Sequence, residues 1–424
     1  MTNFGSIFDF SESAFQELVP SQDFGPKTKS IFDFLVGRVI GQDRAAERLA
    51  RSFAIFHAGL KDPIRPINAV IFAGPTGVGK TLMAQELARC LIADEADAPL
   101  TFIDCTTFTE HHQLAELIGS PPGYVGFDGT PKLAQLKIDE FHFWVKWREF
   151  VRKEYKGKDS SKIDERTLTA FYDRNKPYLS VVLFDEIEKA HRTVHNALLR
   201  IIDGGRLSLA NGDITDFSNS VVIMTCNIGG QRALELLSGR SKTIGFADQA
   251  KDEKQLADQV DAAIYQETSR MIREFFPAEF VGRIRTNIIV FRALDRAQCR
   301  QVLDLMLNRE KAKLTGDGKG ANIPVQLGFS EAFKEYLLDK GTSREYGLRE
   351  LQQTVNKEVT LHLANAIEAG GVVPGDEIMF KLDENGKPGL FRKPRPAAMT
   401  NPLLRPPDGQ TPDGQTPDGQ TGNR

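Results

Sequence analysis

The run Gly74-Pro75-Thr76-Gly77-Val78-Gly79-Lys80-Thr81 has the residue types and spacing that hold a phosphate chain, G-x-x-x-x-G-K-[ST]. Its glycines let backbone N–H groups converge on phosphate oxygens, and a following helix adds its positive dipole end. Lys80 is then expected to reach the β- and γ-phosphates, with the Thr81 hydroxyl on Mg2+. Asp185 and Glu186 end a second apolar run, Val181-Val182-Leu183-Phe184. In a hydrolase site Asp185 would hold the Mg2+ through water, while Glu186 would orient and polarise the attacking water. A third run ends Met224-Thr225-Cys226-Asn227. Asn227 at such a tip would position the same water, or serve only as a turn former before Ile228-Gly229-Gly230.

These residues need a scaffold that brings several strand ends together. Five short apolar runs, at 69–73, 100–104, 180–184, 220–225 and 286–291, alternate with helical segments. The pattern predicts an α/β fold with a five-stranded parallel sheet, whose ligand lies beyond the carboxyl ends of the strands. Leu82, Met83, Leu87, Leu91 and Ile92 recur at near-helical spacing after the phosphate loop. Residues 294–370 turn mainly helical (297–307, 331–340 and 348–369), and a strand-like end follows at 377–382.

The expected organisation is a flexible leader over 1–34, a large nucleotide-binding domain over 35–292, a small domain over 293–392, and a tail over 393–424. The tail repeats Pro-Asp-Gly-Gln-Thr three times without an apolar residue and is expected to be disordered. In the leader, Ser6-Ile7-Phe8-Asp9-Phe10 recurs as Ser30-Ile31-Phe32-Asp33-Phe34, either as a docking peptide or as packing against the neighbouring domain. A formal net charge of −3 gives no polyanion-binding signature, so no nucleic-acid partner is expected. The four cysteines lack metal-ligand spacing. There is no export signal at the start and no run of apolar residues long enough to span a membrane, which predicts a cytoplasmic protein.

Taken in order, these motifs resemble an AAA+ ATPase, and more narrowly the second ATPase module of the ClpA/ClpB/ClpC unfoldases. The likeness also rests on residues 37–67 (Gly-Arg-Val-Ile-Gly-Gln-Asp onward), Gly119-Ser120-Pro121-Pro122-Gly123-Tyr124-Val125-Gly126, Asp185-Glu186-Ile187-Glu188-Lys189-Ala190-His191, Gly205-Arg206-Leu207 and Asp216-Phe217. It covers roughly residues 36–385. It implies an AAA+ P-loop NTPase fold with a Clp-type C-terminal lid domain, and ATP and Mg2+ as cofactors. By the same resemblance, Val39 and Ile40 would contact adenine and Asn227 would be sensor 1. Arg283 would be an arginine finger entering a neighbouring subunit's site, and Arg349 would be sensor 2 on the lid. The family's usual Asn before the finger and acid two residues after it are here Gly282 and Arg285. Tyr124, with Val125, would be the pore-loop grip on a threaded polypeptide.

Two features exceed the family pattern. An insert at about 137–178 holds both tryptophans, Trp144 and Trp147, with Phe141, Phe143 and Phe150. It is expected to be a helical hairpin whose aromatics either dock a partner or pack on one another. Ile244-Gly245-Phe246, an apolar tip among polar residues, is similar to tripeptides with which protease-linked Clp ATPases dock on ClpP. The resemblance thus implies an ATP-driven, ring-forming unfoldase, hexameric because a finger in trans needs neighbours. It would act on polypeptides, with a ClpP-like protease or an adaptor as a further partner. The alternatives are a nucleoprotein remodeller, which would predict a basic face, and a noncatalytic nucleotide switch, which intact Lys80, Asp185 and Glu186 oppose.

Overall fold

The computed structural model describes residues 24–92, 99–110, 113–120, 129–156, 163–230, 232–233, 250–284, 287–315, 324–342 and 348–393. Tyr124 and Val125, expected to grip a polypeptide, the tripeptide Ile244-Gly245-Phe246, Arg285, the first acidic–aromatic pentamer and the repeat tail lie outside them.

In chain order the elements begin with helices α1 (Pro26–Val36) and α2 (Asp43–His57), strand β1 (Asn68–Ala73) and helix α3 (Lys80–Ile92). Strand β2 (Thr101–Asp104) and helices α4 (Leu114–Ile118), α5 (Gln135–Glu154) and α6 (Glu165–Arg174) follow. Then come β3 (Ser180–Asp185), α7 (Arg192–Gly204), the short strands β4 (Arg206–Ser208) and β5 (Ile214–Asp216), and β6 (Ser220–Cys226). Helices α8 (Ala250–Phe275) and α9 (Ala278–Ile284) precede β7 (Ile288–Val290) and α10 (Arg296–Thr315). The chain ends in β8 (Gln326–Phe329), α11 (Glu331–Gly341), α12 (Leu348–Val355), α13 (Leu361–Glu368), β9 (Glu377–Leu382) and β10 (Pro388–Arg392).

The central sheet has the order β2-β3-β6-β1-β7, and every pairing in it is parallel. Its inner strands are apolar runs without polar alternation because both faces are covered. On β1, Ile71 and Ala73 belong to one buried cluster and Val70 and Phe72 to the other. The same two-residue alternation divides Val182 and Phe184 from Val181 and Leu183 on β3. On β6 it divides Val222 and Met224 from Val221 and Ile223. Register pairs Ala73 with Cys226 and Phe184 with Met224, so the carboxyl ends of β1, β3 and β6 finish level with one another. The segments after them are thereby neighbours in space.

Three differences from the sequence expectation have local causes. Residues from Pro26 onward are helical rather than a flexible leader: Pro26 stands at the helix start, where a missing N–H costs nothing. Within α1, Ile31 and Leu35 are buried, and Phe32 and Phe34 pack against the same cluster. The second pentamer therefore makes packing contacts. The helix expected over 348–369 is α12 and α13 joined by a π-helical turn, Asn356–Thr360. The hairpin of β4 and β5 and the strands β8 and β10 were not legible, being short and without an uninterrupted apolar run.

The segment of the insert contains α5 and α6. Phe143, Trp147 and Tyr178 are buried together, with Phe150, Phe171 and Tyr172 packed around them. The hairpin's rings thus pack mainly on one another.

By contacts the chain divides into two units, Met1–Asn308 with Tyr336–Lys357, and Arg309–Glu335 with Glu358–Arg424. The second is built on its own sheet, order β10-β9-β8, where β8 runs parallel and β10 antiparallel to β9. The rings of Phe329, Phe333 and Phe380 stack on one another there, with centroids 5.3 to 6.3 Å apart.

Candidate nucleotide site

The chain leaves β1 at Gly74 in a backbone conformation open to glycine, with φ of +139°. A Cβ at this position would stand 2.7 Å from the Phe291 carbonyl oxygen, and one at Gly230 would stand 2.8 Å from Pro75 Cα. The phosphate loop is therefore held between the segments that leave β7 and β6, where only bare backbone fits. Helix α3 starts at Lys80, so its unpaired N-terminal N–H groups open into this loop. Lys80 is buried, and its Nζ donates to the Gly74 and Pro75 carbonyls at 2.7 and 2.6 Å and to Asn227 Oδ1 at 2.9 Å.

The acids stand at the adjacent strand end. Thr81 Oγ1 donates to Asp185 Oδ1 at 3.1 Å, and Thr225 Oγ1 donates to the same oxygen at 2.5 Å. Thr225 Oγ1 in turn accepts the Glu186 backbone N–H at 3.0 Å. Glu186 adopts a left-handed conformation, φ 55° and ψ 50°, the one non-glycine with positive φ among the described residues. That backbone costs about 1–2 kcal/mol for an L-residue with a Cβ. Strain of this kind persists where neighbours fix it and clusters at functional sites. Here the Thr225 hydroxyl fixes it. Asn227 Nδ2 lies 3.4 Å from Glu186 Oε1, and the Asn227 backbone N–H donates to Glu188 Oε1 at 3.0 Å. Lys80, Thr81, Asp185, Glu186 and Asn227 are thus gathered in one hydrogen-bonded group.

Burial pushes the Lys80 ammonium down to about 8, and the carboxylates of Glu188 and Asp185 pull only partly against it. Glu188 is pushed up, first by burial and also by Glu186, while the Asn227 N–H pulls it down. Its second oxygen, Oε2, is buried and finds no hydrogen-bond partner among the described residues. A cradle of backbone N–H groups at a helix start, one ammonium and a Thr–Asp pair is the donor set that a triphosphate with a divalent cation requires.

The remaining predicted residues fall around this group. Val39 is buried, and its Cγ1 stands 3.3 Å from where a Cβ on Gly79 would be; Ile40 beside it is half-buried. Arg349 is exposed in the first turn of α12, and the backbone N–H of Leu348 before it donates to the Gly77 carbonyl at 3.3 Å. Arg349 is close enough to help lower Lys80's proton affinity. Arg283, near the end of α9, lies apart from the group; it is half-exposed and donates through Nε to Asp203 Oδ2 at 2.7 Å.

Sequence reading missed three residues of the site. Thr225 and Glu188 sit inside quoted motifs, but their roles depend on strand register. Gln42 lies in the quoted 37–67 run without an assigned role, yet its carboxamide reaches Val78 and Arg292. Its burial and the positive φ of Gly41 before it come from the fold and are not written in the sequence.

The sequence and fold are similar to those of known proteins. A family model described as the AAA domain (Cdc48 subfamily) matches residues 65–138 and 152–287, and its break falls in helix α5 of the insert. A second, for the C-terminal D2-small domain of ClpB protein, matches residues 294–380. The chain is 35% identical over 369 residues to the chloroplastic chaperone protein ClpD of Arabidopsis thaliana, covering 86% of this chain and 33% of that one. It is 34% identical over 355 residues to the ATP-dependent Clp protease ATP-binding subunit ClpC of Staphylococcus saprophyticus, covering 84% and 36%. It is likewise 34% identical over 360 residues to the negative regulator of genetic competence ClpC/MecB of Bacillus subtilis, covering 84% and 37%. The chain therefore spans about a third of the length of these curated relatives. A solved closed-state structure of Hsp104 with ATPγS and FITC-casein has a similar fold, with a TM-score of 0.61 at 23% identity over 86% of this chain and 52% of that one. With both family models in sequence order around the phosphate loop and the acidic strand end, the chain belongs to the AAA+ ATPases of the Clp family.

Proposed function

We propose that this chain is an ATP-driven protein unfoldase or remodeller, working in the cytoplasm as a homo-oligomeric ring, a hexamer. The observation that carries the reading is the convergence of Lys80, Thr81, Asp185, Glu186 and Asn227 in one hydrogen-bonded group at the carboxyl ends of β1, β3 and β6. Relatives named as chaperones and as ATP-binding subunits of the Clp protease support it, as does the likeness to an Hsp104 chain captured with casein.

ATP with Mg2+ supplies the cleavable γ-phosphoryl group and the cation that neutralises its charge. The loop N–H groups of residues 74–81 hold the phosphates, and Lys80 leaves its carbonyl partners to pair with them. Thr81 and Asp185 hold the cation. Glu186 draws a proton from water, and Asn227, fixed through its own N–H by Glu188, orients that water. Val39 and Ile40 receive the base, and Arg349 reports the phosphate state to the lid domain, the proposed unit of residues 293–392. Half-exposed Arg283 would exchange Asp203 for a neighbouring subunit's phosphate; the surface pair it leaves is worth about 0–1 kcal/mol, a small barrier to release. Tyr124 and Val125 grip the threaded polypeptide. Ile244, Gly245 and Phe246 are the proposed contact with a ClpP-like protease.

The test is Glu186→Gln, which should bind ATP and assemble without turnover. In cells it should retain a range of polypeptides, and adding Tyr124→Ala should release them. Retention of DNA, or of one defined partner irrespective of Tyr124, would exclude the unfoldase reading.

A further inference from the structure

Gln42 lies between the segment holding Val39 and Ile40 and the phosphate loop. Its Nε2 donates to the Val78 carbonyl at 3.2 Å and to the Arg292 carbonyl at 2.9 Å, and its Oε1 accepts the Arg292 N–H at 3.1 Å. One buried carboxamide thereby closes a strand-like pair with Arg292 and also reaches into the loop. Its reach is set by Gly41, whose φ is +76°; a Cβ there would stand 2.6 Å from Leu294 Cδ2 and 2.9 Å from Gln298 Cδ.

In a phosphate loop the N–H groups face the ligand, so carbonyls such as that of buried Val78 must find donors behind it. Gln42 provides one from the segment that carries Val39, whose side chain lies against Gly79. The loop has other supports: Lys80 holds the Gly74 and Pro75 carbonyls, and the Leu348 N–H holds that of Gly77. Among the described residues, Gln42 supplies the hydrogen-bonded tie from the 39–42 segment to the loop at this point.

We infer that Gln42 is a specificity-determining positioning residue. It fixes the base-side segment to the phosphate loop, so that a ligand bearing both a nucleobase and a triphosphate is favoured over a bare polyphosphate. This rests on the reading of the site as a nucleoside triphosphate site.

The probes are ATP and inorganic tripolyphosphate, each with Mg2+, titrated calorimetrically into the full chain. Gln42→Glu keeps one oxygen for Arg292 but loses both donations, and Gln42→Met keeps the shape without hydrogen bonds. Should the buried carboxylate prevent folding, the Met variant carries the test, and thermal unfolding without ligand checks that it is folded. Both variants should lose about tenfold or more in ATP affinity, the order expected for broken buried hydrogen bonds. Tripolyphosphate affinity should change by less than about threefold on the same scale. Equal weakening of both ligands would make Gln42 a mere prop of the loop and overturn the inference, and so would unchanged binding of both. If the unaltered chain binds neither ligand, the nucleotide reading itself fails.

Discussion

Lys80 and Asn227, 147 residues apart in sequence, are joined by a hydrogen bond of 2.9 Å from Nζ to Oδ1. With the two carbonyls of Gly74 and Pro75, this engages all three donors of the ammonium. The phosphate loop is thereby fastened to the end of β6 through the residue that is to meet the phosphates. Any ligand that draws Lys80 outward must break at least one of these bonds.

The proton on Lys80 is measurable. Burial sets its folded value at about 8, below the ordinary 10.5, so between these values the folded chain binds fewer protons than the unfolded one. Stability without ligand therefore rises as the pH climbs through that window. A triphosphate favours the charged ammonium, so its affinity should fall as the pH passes 8, and binding should take up a proton. Titration at about pH 8.5 in buffers of different ionisation enthalpy reads this uptake. Lys80→Met should show none, and uptake that persists in Lys80→Met would place the proton elsewhere.

Glu186 combines a proposed chemical role with a strained backbone, and the two separate by substitution. Glu186→Gln should retain nucleotide affinity while lowering turnover by about 10²–10⁴, the range for loss of a general base. Glu186→Gly relieves the left-handed strain and Glu186→Ala does not. The Gly variant should therefore be more stable than the Ala variant by about 1 kcal/mol in denaturant unfolding. Equal stability would mean that the left-handed turn is not held in solution.

Thr225 shows why part of the site was hidden in the sequence. Its type suits an interior strand, and only the register of β3 beside β6 places its hydroxyl between Asp185 and the Glu186 N–H. Thr225→Val keeps the shape but leaves that N–H without its acceptor and Asp185 with Thr81 as its one remaining side-chain donor among the described residues. A cost of about 1–3 kcal/mol in stability is expected. Mg2+-dependent nucleotide binding should weaken with it, and Thr225→Ser should restore both. A Val variant as stable as the unaltered chain would show that water replaces the hydroxyl.

The legible features were those written in residue type. Strands β1, β3 and β6 could be read because apolar runs buried on both faces carry no polar alternation; Asp185, Glu186 and Asn227 stand at the ends of such runs, and Lys80 closes the G-x-x-x-x-G-K-[ST] spacing. The order β2-β3-β6-β1-β7 was not legible, since periodicity says nothing about neighbours. Neither were β4 and β5, where three residues with one buried side chain offer no pattern to count. Gln42 and Glu188 were missed for the same reason as Thr225. Their partners are backbone atoms far away in sequence, and a chain of letters does not show where a carbonyl points.

The aromatic hairpin gives the last prediction. Phe143 is its centre, with ring centroids 5.0 Å from Trp144, 5.7 Å from Tyr172 and 5.9 Å from Tyr178. Trp147 is 9% exposed and Trp144 42%, so the two tryptophans report on a buried and an open side of the same helix. Beneath them Asp139 accepts from the Tyr172 hydroxyl at 2.7 Å, which ties α5 to α6. Because these rings pack on one another and form a cluster separate from the two that cover the sheet, Phe143→Ala should loosen the hairpin alone. The local cost is about 3–5 kcal/mol, the usual range for a buried Phe truncated to Ala. Trp147 emission should shift to the red, and proteolysis should concentrate between α5 and α6, with ATP affinity and turnover within about twofold. A parallel loss of nucleotide affinity would show instead that the hairpin braces the start of β3, and with it the placement of Asp185 and Glu186.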